Sequence, residues 1–203
     1  YQQQALNDSY FTELKSEYQY LAHKFGLQAM DANQWRFLRL RPQNFPHIRI
    51  AQLAHLYYEQ RAGLSQLLEC ESVKQVRELL ATQVTHYWET HYVFGEKSAK
   101  SEKKLSAASL NLQIINTVTP ILFAYGKHKN SEKYCERAFD FLETLKAEEN
   151  HIVRMWKEVG LMVETACDSQ ALIQLKKEYC DRKDCLRCRI GYEYLKGNSS
   201  IKG

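Results

Sequence analysis

"LNLQIINTVTPILFAYG", residues 110–126, carries apolar side chains on nearly every side of a helical projection. A surface helix keeps one apolar stripe, so a segment apolar almost all round reads as a buried central helix. Pro120 lies within it, lacks a backbone N–H and crowds the preceding turn, so a kink is expected there. The downstream segments are one-sided. "SEKYCERAFDFLETL" (131–145) sets Tyr134, Ala138, Phe141, Leu142 and Leu145 on one stripe. "HIVRMWKEVG" (151–160) follows, then "DSQALIQLKKEYC" (168–180), with Asp168 expected as N-cap and Leu172, Leu175 and Tyr179 facing inward. A last helix is expected from about Cys185 to Lys196.

Upstream the spacing is helical as well. Tyr10, Leu14, Tyr18 and Leu21 recur at three and four. Asp31 reads as the N-cap of a short helix bearing Trp35 and Leu38 and stopped by Pro42. "RPQNFP" (41–46) is a turn, because each proline pushes the preceding residue away from helical dihedrals. Pro46 then opens a helix ending near Gly63. Ser72 is a cap for a helix through Leu80, and "QVTHYWETHYVF" (83–94) reads as another, aromatic helix. Only 8 Gly and 3 Pro leave little punctuation for strands and turns. The expected fold is all-α, an irregular multi-helix bundle with a buried, proline-kinked central helix. Residues 1–203 are expected to form a single helical domain. The polar, lysine-rich "GEKSAKSEKKLSA" (95–107) reads as a mobile connection within it. Tyr1 reads as the boundary of a fragment of something longer.

Composition narrows the function classes. The chain is 44% hydrophobic and 26% charged, ordinary for a globular protein, and its net charge of +4 is too mild to imply nucleic acid by itself. No uninterrupted apolar run reaches the ~18 residues of a membrane span, so no membrane partner is expected. There is no GxSxG elbow, no glycine-rich phosphate loop and no HExxH. Glu148 and His151 have helical spacing, but a di-iron bundle needs that motif twice with two further glutamates. His86 and His91 lie five apart and point in different directions on a helix, which favours a structural place beside Trp88.

The stretches "HKFGLQAMDANQWRFLRLRPQNFPHIRIAQLA" (23–54), "YWETHYVFG" (87–95), "NTVTPILFAYG" (116–126) and "DSQALIQLKKEYCDRKDCLRCRIGYEYL" (168–195) resemble the C-terminal half of the bacterial domain-of-unknown-function family 2851. The resemblance spans Tyr10 to Leu195. It implies a cytoplasmic protein with an upstream half, absent here, that is similar to a restriction-type nuclease core by analogy only. It implies further that this chain is a helical accessory domain with that upstream domain as its partner. No catalytic residue is carried over.

Two residue sets bear on function. Arg36, Arg39, Arg41 and Arg49 bracket the Pro42–Pro46 turn, with Asn44, Phe45 and His47 between them. Arginines around an exposed aromatic can grip phosphate and stack a base, which makes nucleic acid a candidate partner. The same residues equally describe a rigid helix–helix corner whose Phe45 packs inward and whose arginines pair with carboxylates. Two functions follow from these alternatives: an accessory module assisting nucleic-acid binding, or a structural or protein-interaction domain. The second set is Cys180, Cys185 and Cys188. A C-x4-C-x2-C run suits a structural zinc ion, and its spacing also matches the first three positions of a plant-type iron–sulfur site. Cys167 is the nearest fourth ligand. Arg182, Lys183, Arg187 and Arg189 would offset thiolate charge. Against a metal, Cys185, Cys188, Tyr192 and Leu195 fall on one helical face, as buried core thiols would. A disulfide is the third alternative.

Overall fold

The computed structural model describes residues 7–35, 37–59 and 63–199. It is an all-α, multi-helix arrangement with one small two-stranded sheet among the described residues. The chain divides into two compact units, Tyr1–Glu69 with Arg77–Leu110 and Cys70–Val76 with Asn111–Gly203.

In the first unit, α1 (Ser9–Phe25) starts at Asp8, whose carboxylate accepts the Phe11 N–H at 3.1 Å, and ends at Gly26 with φ of +63°. Asp31 does cap a turn, accepting the Asn33 N–H at 2.9 Å. That turn is only the 3-10 stretch Ala32–Gln34, shorter than the helix expected to carry Trp35 and Leu38. A second 3-10 turn, Pro42–Asn44, leads into α2 (Pro46–Tyr58), which buries Ile48, Ala51, Gln52 and Leu56. α3 (Leu64–Glu69) follows. α4 (Val73–Leu80) belongs to the second unit up to Val76 and to the first from Arg77. It opens at Ser72 as expected: Ser72 Oγ accepts the Gln75 N–H at 3.3 Å, and Gln75 Oε1 accepts the Ser72 N–H at 3.1 Å.

The aromatic helix expected over 83–94 is a single turn, α5 (His86–Glu89), followed by the antiparallel pair β1 (His91–Val93) and β2 (Glu96–Lys97). The reversal needs Gly95 at φ of +76°, a conformation that costs glycine nothing. Asp8 fixes the reversal by accepting the Gly95 N–H at 2.8 Å. Ile48, Ala51, Val84 and Trp88 form the core here, with Tyr10, Tyr87, Tyr92 and Phe94 packed against it. The lysine-rich stretch after β2 is stapled to this core. The Ser98 N–H donates to Thr90 O at 2.7 Å and the Ser101 N–H to Glu89 O at 3.0 Å. Lys103 is only 4% exposed, and its ammonium donates to Trp88 O at 2.5 Å and Glu89 O at 2.9 Å. A lysine that fills two helix-end carbonyls is indistinguishable by composition from a solvated one.

In the second unit the deciding segment lies in α6 (Ala107–His128). Residues Ile114–Val118 widen into a π turn, in which the Thr119 N–H reaches back to Ile114 O. The wide turn stands directly before Pro120 and lets the ladder step over the missing donor. The helix is not buried all round. Ile114, Ile115, Val118 and Leu122 are buried, whereas Leu112, Ile121 and Phe123 are 48%, 39% and 36% exposed. By length and apolar composition α6 is long enough to cross a bilayer, as is the core helix of many globular proteins.

α7 (Glu132–Thr144) crosses α6 closely enough that a Cβ on Gly126 would lie 2.7 Å from Cys135 Sγ and 2.9 Å from Ser131 O. The buried Arg137 on α7 donates to Cys70 O at 3.1 Å. α8 (His151–Glu158) is capped by Asn150, which accepts the Ile152 and Val153 N–H groups, each at 3.0 Å. α9 (Ala166–Gln174) starts one turn earlier than expected. Its N-cap is Thr165, and Asp168 is the third residue of a capping box rather than the cap. α9 runs on into a π segment, Leu175–Cys180. The last helix, α10 (Arg189–Ser199), begins after the cysteines. Cys185 and Cys188 are therefore not on its face, since Lys183 with φ of +54° and the turns after it occupy the intervening residues.

Candidate functional site

Arg49, on the first turn of α2, is half-buried and donates to Asn44 Oδ1 at 2.6 Å and Gln52 Oε1 at 2.9 Å. Burial pulls its pKa down, yet a guanidinium stays charged. The amide partners replace the carboxylates expected in a structural corner. Gln52 is itself held, donating to Lys103 O at 2.6 Å. Phe45 packs edge-on against Phe37 at 5.5 Å, so no free ring stands ready to stack a base at that position. Arg39 and Arg41 are exposed, Arg39 with φ of +65°. Arg36 lies outside the described residues.

Two clefts flank this corner. A small polar one, about 50 Å³, is lined by Gln43, Asn44, Arg49, Lys104, Ser106 and Ser109 together with Gln52 and Lys103. A larger one, about 200 Å³, contains His55, Glu59 and Thr82. His55 Nε2 lies 3.7 Å from Glu59, and His55 Nδ1 lies 3.5 Å from Thr82 Oγ1. That acid, base and hydroxyl stand in the order of a nucleophilic relay. The Thr82 hydroxyl is buried, however, and has Gln52 O at 3.2 Å and Gln83 O at 3.3 Å as acceptors. Its proton is committed to backbone carbonyls rather than aimed at a ligand.

The anchoring group that the spacing did not suggest is Asp8. It caps α1, accepts the Gly95 N–H and accepts the Tyr87 hydroxyl. Desolvation works to raise its pKa, but the hydrogen bonds from Tyr87, Phe11, Gly95 and Tyr10 outweigh it and hold the carboxyl below its usual 3.8. Tyr87 is pushed up to about 12 by burial and by the Asp8 carboxylate. The signal was local, an Asp directly before a helical stripe. Its partners come from 79 and 87 residues away. His91 is buried and stacked on the Tyr87 ring at 4.0 Å, while His86 faces outward and pairs with Glu89 at 3.0 Å. Glu148 accepts from Gln170.

The cysteines are all free. Cys180 and Cys185 are exposed, Cys188 is buried and Cys167 is intermediate. Among the described residues, no group of three or more His, Cys, Asp or Glu side chains is gathered as a metal ion would require. Burial, with Glu143 and Asp168 nearby, pushes the Cys167 thiol up, away from the thiolate a metal needs. The neighbouring arginines face carboxylates: Arg182 lies 2.7 Å from Glu178, Arg187 2.5 Å from Asp184 and Arg189 3.2 Å from Glu193. Cys185 is set by its backbone, against which Gly191 of α10 packs so closely that a Cβ there would lie 2.6 Å from Cys185 O.

Apolar side chains are widely exposed in the first unit. α1 has no buried residue over its 17 positions. Leu14, Tyr18 and Phe25 line one face of it with the half-buried Leu21, and Phe25 is 62% exposed. Leu27, Met30, Leu38 and Leu40 beyond α1 are exposed as well.

A model of the family "Protein of unknown function (DUF2851)" matches residues 2–151. The matched span stops short of the cysteine run, to which the resemblance seen in the sequence had extended. No curated protein and no solved structure matches the chain.

Proposed function

The chain belongs to the DUF2851 family of proteins of unknown function, and from that premise we propose that it is a non-catalytic helical interaction domain. In this reading the apolar face of α1 and the segment after it docks onto an upstream domain of the same protein. One observation carries it: a 17-residue helix that packs on the core at its start through Tyr10, fully buries no residue, and presents Leu14, Tyr18 and Phe25 exposed on a single face. A helix in a globular protein gains most of its stability from packing such a face. An exposed apolar surface rimmed by polar groups is the mark of a protein partner. The cytoplasm is the compartment this reading assumes, since free thiols suit a reducing environment.

The second reading, assistance to nucleic-acid binding by a nuclease-like partner, is favoured by the exposed Arg39 and Arg41 beside Arg49. It is the weaker because Arg49 is bonded within its own corner and Phe45 is packed. The two separate by hydrogen exchange on a protein that includes the upstream domain, compared with this chain alone. Docking predicts that the α1 amides gain protection in the longer protein without any nucleic acid. If α1 exchanges equally fast in both, and residues 39–49 are protected only when nucleic acid is added, the second reading replaces the first.

A further inference from the structure

We propose that the small cleft beside Arg49 is a binding site for a single phosphate-type oxyanion. The inference is independent of the docking reading and uses different residues. The volume, about 50 Å³, is several times the ~10–15 Å³ that one ordered water needs, which leaves room for a small oxyanion. Its lining carries several hydrogen-bond donors.

On one wall stands the Arg49 guanidinium. Of its five N–H donors, one goes to Asn44 and one to Gln52. Those two bonds fix the plane of the fork and leave the remaining donors for a ligand, the arrangement that suits phosphate geometry. Ser106 and Ser109 also line the cleft, and their hydroxyls lie 3.0 Å apart. One can donate to the other, which leaves a hydroxyl proton for a bound oxygen. Beside Arg49 the lining holds the side-chain amides of Gln43 and Asn44. The Asn44 Oδ1 is occupied by Arg49, so its NH2 is the end left to donate. Lys104 stands at the rim, exposed, with its ammonium 2.7 Å from Glu102. None of the described residues lining the cleft is acidic.

Arg49 is a half-buried guanidinium with no carboxylate partner among the described residues, and such a group attracts an anion, because screening is weak where solvent is partly excluded. The Gln52 side chain, accepting from Arg49 and donating to Lys103 O, holds the guanidinium in place before any ligand arrives.

Thermal unfolding of the 203-residue chain in inorganic phosphate, against sodium chloride of equal ionic strength, tests the site. A parallel arm uses a short oligothymidylate without terminal phosphate. Two variants accompany it: Arg49→Gln, which removes the charge, and Lys104→Glu, an exposed substitution that places a carboxylate at the rim. Phosphate should raise the unfolding temperature saturably, broaden its own phosphorus resonance, and lose both effects in each variant. A response to the oligonucleotide alone, equally lost in both variants, would assign the oxyanion to a nucleic-acid backbone rather than to free phosphate. No response in either arm, or a response that survives in Lys104→Glu with its fold intact, would overturn the proposal. Lys104→Glu keeps the test decisive even if Arg49→Gln fails to fold.

Discussion

His47 shows how much a single residue's role depends on partners that sequence distance hides. It stands in the arginine-rich turn, where its neighbours suggest a ligand contact. In the fold its ring lies 5.2 Å from Phe37, 5.3 Å from Phe94 and 6.0 Å from Trp88, and its Nδ1 is buried with no hydrogen-bond partner. Burial lowers its pKa below the usual 6.5. The unfolded chain therefore binds this proton more readily than the folded one. The stability that goes with neutral His47 is present above pH 6.5 and is lost as pH falls from there through the folded value. Urea unfolding at a pH above and a pH below 6.5 should show lower stability on the acid side. The drop should shrink in His47→Phe. An equal drop in that variant would assign the acid sensitivity to other groups. The aromatic character of 37, 88 and 94 was plain in the sequence; that they meet around residue 47 was not, because the hairpin at Gly95 makes the meeting.

At the scale of elements, periodicity identified which faces are apolar but not which of them find a neighbour. Residues 110–126 are helical and apolar as read, yet Ile114, Ile115, Val118 and Leu122 are buried while Leu112, Ile121 and Phe123 stay exposed. The close crossing rests on Gly126. Gly126→Ala would press a methyl group against Cys135 Sγ and Ser131 O, at 2.7 and 2.9 Å. The second of these is backbone and cannot rotate away. The substitution should cost about 1–3 kcal/mol despite alanine's better helix propensity, measured by chemical denaturation. A neutral or stabilising result would mean that α6 and α7 pack less tightly. The expected helix over 83–94 failed for a local reason, since Gly95 with Asp8 as acceptor offers the backbone a reversal. The cysteine spacing was legible, but its geometry was not: the helix that would have aligned Cys185 and Cys188 begins only at Arg189. With the thiols as placed, thiol titration of denatured, chelator-free protein should count six. Elemental analysis should find no stoichiometric zinc or iron. A full equivalent of metal would mean that residues 180–188 close into a site on binding.

At the scale of the whole molecule, the all-helical class followed from scarce Gly and Pro and from unbroken helical spacing. What composition could not provide was the division into two compact units, or the stapling of the lysine-rich stretch through Lys103. Both depend on tertiary partners. The docking claim likewise rests on a contrast visible only in the fold. The stripe Tyr10, Leu14, Tyr18 and Leu21 has the spacing of a core-facing helix, yet Tyr10 alone is packed on the core cluster while Leu14 and Tyr18 stay exposed. The most direct test is a calorimetric titration of this chain with the separately purified upstream domain, wild type against Leu14→Glu with Phe25→Glu. The account predicts saturable binding with a negative heat-capacity change, the signature of apolar burial, abolished in the double variant while its helical content is retained. Binding that is absent in the wild type, or undiminished in the double variant, would contradict it.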